Sequence, residues 1–240
     1  MILSESITFI FAFKCAIMSS LLTNFKIIIS DKLYLKDPET SELGKNIIKN
    51  GIILIDEIGF EAFTFKKLGA IINSSESSIY RYFESKHKLL IYLSTWYWSW
   101  TEYNLVIATT NVVDPLEKLE KAINVITQVI KDDPKTPHID ESILSRIIVS
   151  EFNKTLFTKE VDQENQEGYF LVYLRITHRV IAMIEEVNPN YPYAKTLASS
   201  IIDGNLHQNF LKDHFKTITN LSANESITDF YNDIIRKVLQ

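Results

Sequence analysis

Cysteine is nearly absent: Cys15 stands alone in 240 residues. That count excludes an intramolecular disulfide framework and a cysteine-based zinc site, and it fits a reducing, cytoplasmic compartment. Also missing are a glycine-rich phosphate loop, a GxSxG nucleophile elbow and a paired-carboxylate motif with a recognisable partner. No enzymatic activity, cofactor or metal is therefore expected. After residue 40 no period-2 apolar run followed by a hairpin signal occurs, which argues against strands. The apolar stretch ITFIFAFKCAIM (7–18) has no basic segment before it, contains Lys14 and is too short to span a bilayer. A secretion signal is not expected there. Met18, followed by SSLLTNFKIII, is the expected true start, with 1–17 an over-extended reading; the other reading is an ordinary strand or helix packed on the body.

An overall basic coat is missing too, since the formal charge is −5. The distribution is uneven: residues 41–90 carry a net +1 and the remainder −6. Any anion-binding surface is expected within 41–90.

What the chain does have is enough apolar substance for a sizeable core, at 46% hydrophobic and 12% aromatic residues. All six prolines fall where periodic apolar patterns pause, and between them the apolar residues recur at helical spacing, as in Leu116, Leu119, Ile123, Ile126 and Ile130. The expected architecture is all-α, with helices near 41–58, 65–72, 76–82, 86–110, 115–132, 139–157, 167–187, 192–214 and 224–239. Residues 1–40 read as an N-terminal extension, 41–90 as a small helical head and 91–240 as a larger helical body.

The segment TFKKLGAIINSSESSIYRYF (64–83) joins two short helical patterns through NSS. Asn73 sits where the chain must turn sharply, and asparagine tolerates the left-handed conformation. Ser74 or Ser75 can cap the following helix, with Glu76 in its first turn. This is the grammar of a helix-turn-helix. At 100° per residue, Ile79 and Phe83 point one way and Ser77, Ser78 and Arg81 the other. Small hydroxyls let a helix approach base edges, and arginine can grip guanine in the major groove. Lysines also stand near two helix starts, Lys66 and Lys67 after Thr64, and Lys86 and Lys88 after Ser85. A phosphate arriving at those ends would turn an unfavourable dipole contact into a favourable one.

The stretch IIKNGIILIDEIGFEAFTFKKLGAIINSSESSIYRYFESKHKLL (47–90) resembles the DNA-binding domain of the TetR/AcrR family of bacterial transcriptional repressors. The likeness rests on Gly59–Phe60, Thr64, Leu68–Gly69, the turn at Asn73, and SIYRYFESKHKLL. Two residues depart from the family pattern: Gly69 stands in place of alanine, and Asn73 in place of glycine. The resemblance implies a helix-turn-helix DNA-binding domain followed by a larger helical effector and dimerisation domain. It would place Thr64, Tyr80, Tyr82 and Lys86 on phosphates, and Lys66, Glu76, Ser77, Ser78 and Arg81 at or near base edges. It implies a homodimer on a double-stranded operator, with an interface on the last long helices, where Leu197, Ile201, Phe210, Ile227, Phe230, Ile234 and Leu239 supply apolar surface. A small hydrophobic effector is expected between helices spanning about 86–187, where aromatic residues gather at 96–103 and 169–173. The resemblance does not say which residues hold it.

In WYWSWTEY (96–103), Trp96 and Trp100 share a face while Trp98 falls on the far side, so these rings read as core, with room for one of them to line a cavity. Asp203, His207 and His214 follow one another at i, i+4 and i+11, but without a second ligand cluster they are assigned no metal. The rival reading is a helical membrane-surface or protein-interaction module relying on residues 7–29. It has no use for the 47–90 pattern.

Overall fold

The computed structural model describes residues 27, 29–128, 136–221 and 226–240. The expectations for residues 1–17, for 7–29 apart from 27 and 29, and for the helix ends past 128 and at 224–225 lie outside the described residues. Among the described residues, two 3-10 turns, Asp31–Leu33 and Pro38–Thr40, precede eleven α-helices, and no strand occurs. The helices are α1 (Glu42–Ala62), α2 (Phe65–Ile71), α3 (Glu76–Tyr80), α4 (Lys86–Thr109), α5 (Pro115–Thr127), α6 (Glu141–Glu151), α7 (Asn153–Leu156), α8 (Val161–Gln166), α9 (Leu171–Val187), α10 (Ala194–His214) and α11 (Ile227–Val238).

Local chemistry sets where the first six begin. Ser41, Thr64, Ser75, Ser85, Asp114 and Asp140 each stand at an N-cap, and each side chain accepts a backbone N–H of the first turn. Each such cap stabilises its helix by about 1 kcal/mol over alanine. Inside α1, Gly59 takes φ 75° and ψ 156°, so the helix breaks there and resumes for a short turn. A side chain would be strained at that φ.

The core is contiguous from head to body. Residues 89–98 of α4 are all buried, because α4 packs against the first 3-10 turn and against α5, α6 and α9. A helix apolar on every side belongs at the centre of a fold. Around it, α9 packs on α10, α5 on α9 and α11, and α6 bridges α1 and α10.

Three expectations change. The long helix expected over 139–157 divides after Glu151, and the one expected from 167 begins at Leu171, because Gly168 takes φ 89° just before it. The short α8 has no apolar periodicity to announce it; its Glu164 faces His87, with 3.0 Å between His87 Nε2 and Oε1. Among the residues expected to face a second copy, Ile201 is fully buried and Ile227 and Leu239 nearly so, closing the core of their own chain. Phe230 remains 47% exposed.

Candidate nucleic-acid interface

The head builds its outer face from a tight turn. Asn73 adopts φ 51°, and the Ser74 N–H donates to the Gly69 carbonyl at 2.9 Å. A Cβ on Gly69 would come within 2.6 Å of the Ser74 carbonyl oxygen. Glycine is thus required where α2 meets the turn, and the packing gained offsets its low helix propensity. The Ser75 Oγ accepts from the Ser78 N–H at 3.3 Å and shares hydrogen bonds with the hydroxyls of Ser77 and Ser78, at 2.9 and 2.8 Å. One serine therefore caps α3 and orients the two expected at base edges.

Behind α3, Ile79 and Phe83 are fully buried and hold the helix to the core. In front, Ser77 and Arg81 are exposed and Ser78 and Glu76 half-buried. Tyr80 is 46% exposed and its ring meets Phe65 edge-on at 5.0 Å, so the ring packs while the residue still reaches the surface. Thr64 is exposed, and its Oγ1 accepts from the Lys67 N–H at 3.2 Å. Lys66 is exposed with no partner among the described residues.

Tyr82 departs from expectation. It is 1% exposed, its hydroxyl shares a 2.8 Å hydrogen bond with Ser41, and its carbonyl accepts from the Leu35 N–H at 2.8 Å. The Ser41 hydrogen bond, ahead of a smaller opposing effect of burial, holds the phenol below its usual pKa. The chain between the two 3-10 turns covers Tyr82, and Lys36 lies 5.1 Å from its ring centre. Tyr82 thus fastens the N-terminal strap to the head and presents no hydroxyl to a phosphate.

The lysines also divide. Lys86 Nζ donates to the carbonyls of Phe60 (2.9 Å) and Glu61 (3.1 Å) and sits 4.7 Å from the Phe60 ring centre. Lys67 Nζ donates to the Ala62 carbonyl at 2.8 Å, and Lys88 lies 3.6 Å from the centre of Tyr169. Lys67 and Lys86 thus neutralise carbonyls at the end of α1, the favourable place for a cation.

The head is tied to the body chiefly through α6. Arg146 grips the Asp56 carboxylate through Nε (3.1 Å) and a terminal nitrogen (2.8 Å). One and a half turns on, Glu151 Oε1 accepts the Phe60 N–H at 3.2 Å, a donor that the break at Gly59 sets free from the helix. Lys154 bridges Glu151 (2.7 Å) and Glu61 (3.1 Å). Burial works against the Lys154 charge, but the two carboxylates overcome it and raise its pKa.

The aromatic residues expected to wall an effector site fill their own space. Trp98, Phe152 and Tyr173 form a triangle with ring centres 5.3 to 5.5 Å apart, beside a gap of about 10 Å³, room for no more than a water. A cavity of about 570 Å³ lies instead among α1, α4, α5, α6 and α10, with Asp56, Tyr97, Ile126, Arg146 and Phe210 in its wall. Three of its walls, α4, α5 and α6, fall within the expected span of 86–187, and the other two, α1 and α10, come from outside it. No group of three or more metal-ligating side chains occurs among the described residues. Asp203 accepts from the Tyr173 hydroxyl at 2.8 Å, and the His214 ring lies 4.5 Å from that of Phe210.

Residues 47–93 match the family model for bacterial regulatory proteins of the tetR family. Solved structures with similar folds include a tetR family regulatory protein from Rhodococcus RHA1, at 14% identity over 83% of this chain and 96% of that one, TM-score 0.56. AibR, solved with isovaleryl coenzyme A and operator DNA, aligns at 13% identity over 81% and 98%, TM-score 0.55. The superantigen PfiT aligns at 18% identity over 85% and 98%, TM-score 0.55. No curated protein sequence matches. At these identities the likeness is one of fold, and fold alone does not assign function. Residues 47–93 therefore carry the N-terminal domain of the tetR family of bacterial regulatory proteins, set on a helical body that shares its fold with solved regulators of that family.

Proposed function

We propose that the protein is a dimeric, sequence-specific DNA-binding transcriptional regulator, a repressor released from its operator by a small-molecule effector. The observation that carries this reading is the outer face of α3: Ser77, Ser78 and Arg81 stand on a helix whose opposite face, Ile79 and Phe83, is fully buried. Such a helix gains its stability from behind and leaves its polar face for a partner. Arg81 is proposed to read guanine, with Ser77, Ser78 and Glu76 beside it at base edges. Thr64 and Tyr80 would contact phosphates, and Lys66 would reach the DNA from α2. Lys86 still has one ammonium hydrogen beyond its two carbonyl partners. It would add positive charge near the phosphates. Tyr82 is left out of this set.

A homodimer would place two heads on half-sites about 34–36 Å apart or a multiple of that spacing. Exposed Phe230 and half-buried Leu197, Phe210 and Ile234 on α10 and α11 would supply its seam. The proposed setting is cytoplasmic and the proposed role non-catalytic. No described helix is long and apolar enough to cross a membrane. A membrane-surface role has no observation to favour it. Selection of bound fragments from randomised duplex DNA tests the reading: enrichment of a two-fold symmetric site is the expected result, and recovery of no preferred sequence would refute it.

A further inference from the structure

The strap ahead of α1 turns most of its charged side chains toward the body or onto itself. Lys32 Nζ donates to the Glu167 carbonyl at 3.0 Å, the Asp37 carboxylate accepts the Glu39 N–H at 2.9 Å, and Glu39 Oε1 lies 2.9 Å from His138 Nε2. Lys36 does neither. It is exposed, its ammonium lies 5.1 Å from the centre of the Tyr82 ring, and it forms no ion pair among the described residues. Arg81, the residue before Tyr82, is likewise exposed and without an ion pair among them. After the Ser41 hydrogen bond, which does most to hold the Tyr82 phenol below its usual pKa, both Lys36 and Arg81 push it the same way, so both cations stand close to that one ring. Two unpaired positive charges at one exposed spot make a place for an anion. The backbone that carries Lys36 is fixed on both sides: the Leu35 N–H donates to the Tyr82 carbonyl at 2.8 Å, and Pro38 is buried against α1, where a Cβ on Gly44 would meet its carbonyl oxygen at 2.2 Å. Only the side chain is left for a partner to order, which keeps the cost of binding low.

We propose that Lys36 is a DNA contact: its ammonium pairs with a backbone phosphate beside the base pair that Arg81 reads, where the covered Tyr82 hydroxyl cannot serve. The inference rests on reading the protein as an operator-binding regulator, and it extends the interface to a residue ahead of the matched 47–93. Lysine suits the task, because a compact charge on a long stem meets a phosphate without strict geometry and reads no sequence. Its place is nevertheless set relative to Arg81 by the strap, so a phosphate held there fixes how α3 lies in the groove. The competing role for Lys36 is a cation–π contact that only holds the strap on Tyr82, and that role would act on stability rather than on salt dependence.

The test uses the full chain and two duplexes, the site recovered from randomised DNA and a mixed-sequence duplex of the same length, each titrated from about 50 to 200 mM salt. Lys36→Gln should weaken both duplexes by a similar factor, several-fold at the lowest salt, and flatten the slope of log affinity against log salt concentration by about one unit. The advantage of the wild type should accordingly shrink about three- to fourfold across the series. Lys36→Arg should restore the slope, and Lys32→Gln, which removes a cation turned to the body, should keep it. Thermal unfolding of Lys36→Gln should match that of the wild type. A wild-type slope in Lys36→Gln, a loss confined to the recovered site, an equal flattening by Lys32→Gln, or a loss of affinity that tracks a loss of thermal stability would each overturn the proposal. Where selection recovers no preferred site the regulator reading fails, and the mixed-sequence duplex still decides on Lys36. A wild type that binds neither duplex overturns both.

Discussion

Helices α3 and α4 follow each other within ten residues and use their side chains in opposite ways. The five residues of α3 bury one side chain, Ile79, whereas residues 89–98 of α4 are buried without interruption. Alone, α3 is far too short to persist in water, where a helix needs about 12–15 residues to be even marginal. It is held by its Ser75 cap, by Phe83 just past its end, and by a turn that only glycine at position 69 permits. Stability lent by neighbours leaves its outer face free for chemistry that does not serve folding. Along residues 89–98 of α4 no side chain is exposed, and Trp98, in a stretch that looked suited to a ligand, is spent on packing.

This contrast breaks most forcefully at Trp98. Trp98→Ala should cost about 3–5 kcal/mol in chemical denaturation, the range for removing a large buried aromatic. Gly69→Val should come next, destabilising by about 1–3 kcal/mol because the clash is with backbone that cannot rotate away. In that variant DNA binding should fall further than stability, since the distortion lies at the base of α3. A smaller effect is expected at Glu102, which α9 pairs with Arg175 and with Arg179, the latter at 2.9 Å. Burial would raise the Glu102 pKa, but the two guanidinium groups outweigh it and hold it below the ordinary 4.5. A lowered folded pKa means that the stabilisation is present above the ordinary value and is lost as pH falls through the folded one. Glu102→Gln should therefore lower stability by about 1 kcal/mol at neutral pH, discounted because both arginines are about half exposed. In denaturant titrations the gap to wild type should close below pH 4.5. At the far end of the scale, Arg81→Ala and Lys66→Ala should leave stability within about 0.5 kcal/mol of wild type, as exposed positions do.

The parts of this arrangement that were legible in the sequence are those made by residues close together in the chain. Asn73 in the left-handed region, Thr64 and Ser75 as caps, and the opposed faces of α3 all depend on partners within about five residues. The burial of Tyr82 depends on Leu35 and Ser41, more than forty residues upstream, and the capture of Lys86 depends on Phe60 and Glu61. Neither leaves a local signal. The cavity is the extreme case, with Asp56 and Arg146 ninety residues apart. Asp56 reads simply as a charged position on an amphipathic helix until α6 is laid against it.

The central claim is that the outer face of α3 reads base sequence in duplex DNA, and the selected operator tests it most directly when Arg81→Ala and Lys66→Ala are compared on it across a salt series. Arg81→Ala should lose about 1–3 kcal/mol on the operator and little on unrelated duplex, with discrimination relaxed at one base pair in each half-site. Lys66→Ala, near the base edges but with weaker geometric demands than the arginine fork, should lose less than Arg81→Ala on the operator at every salt concentration. Arg81→Ala binding the operator with wild-type affinity and unchanged discrimination would contradict the account.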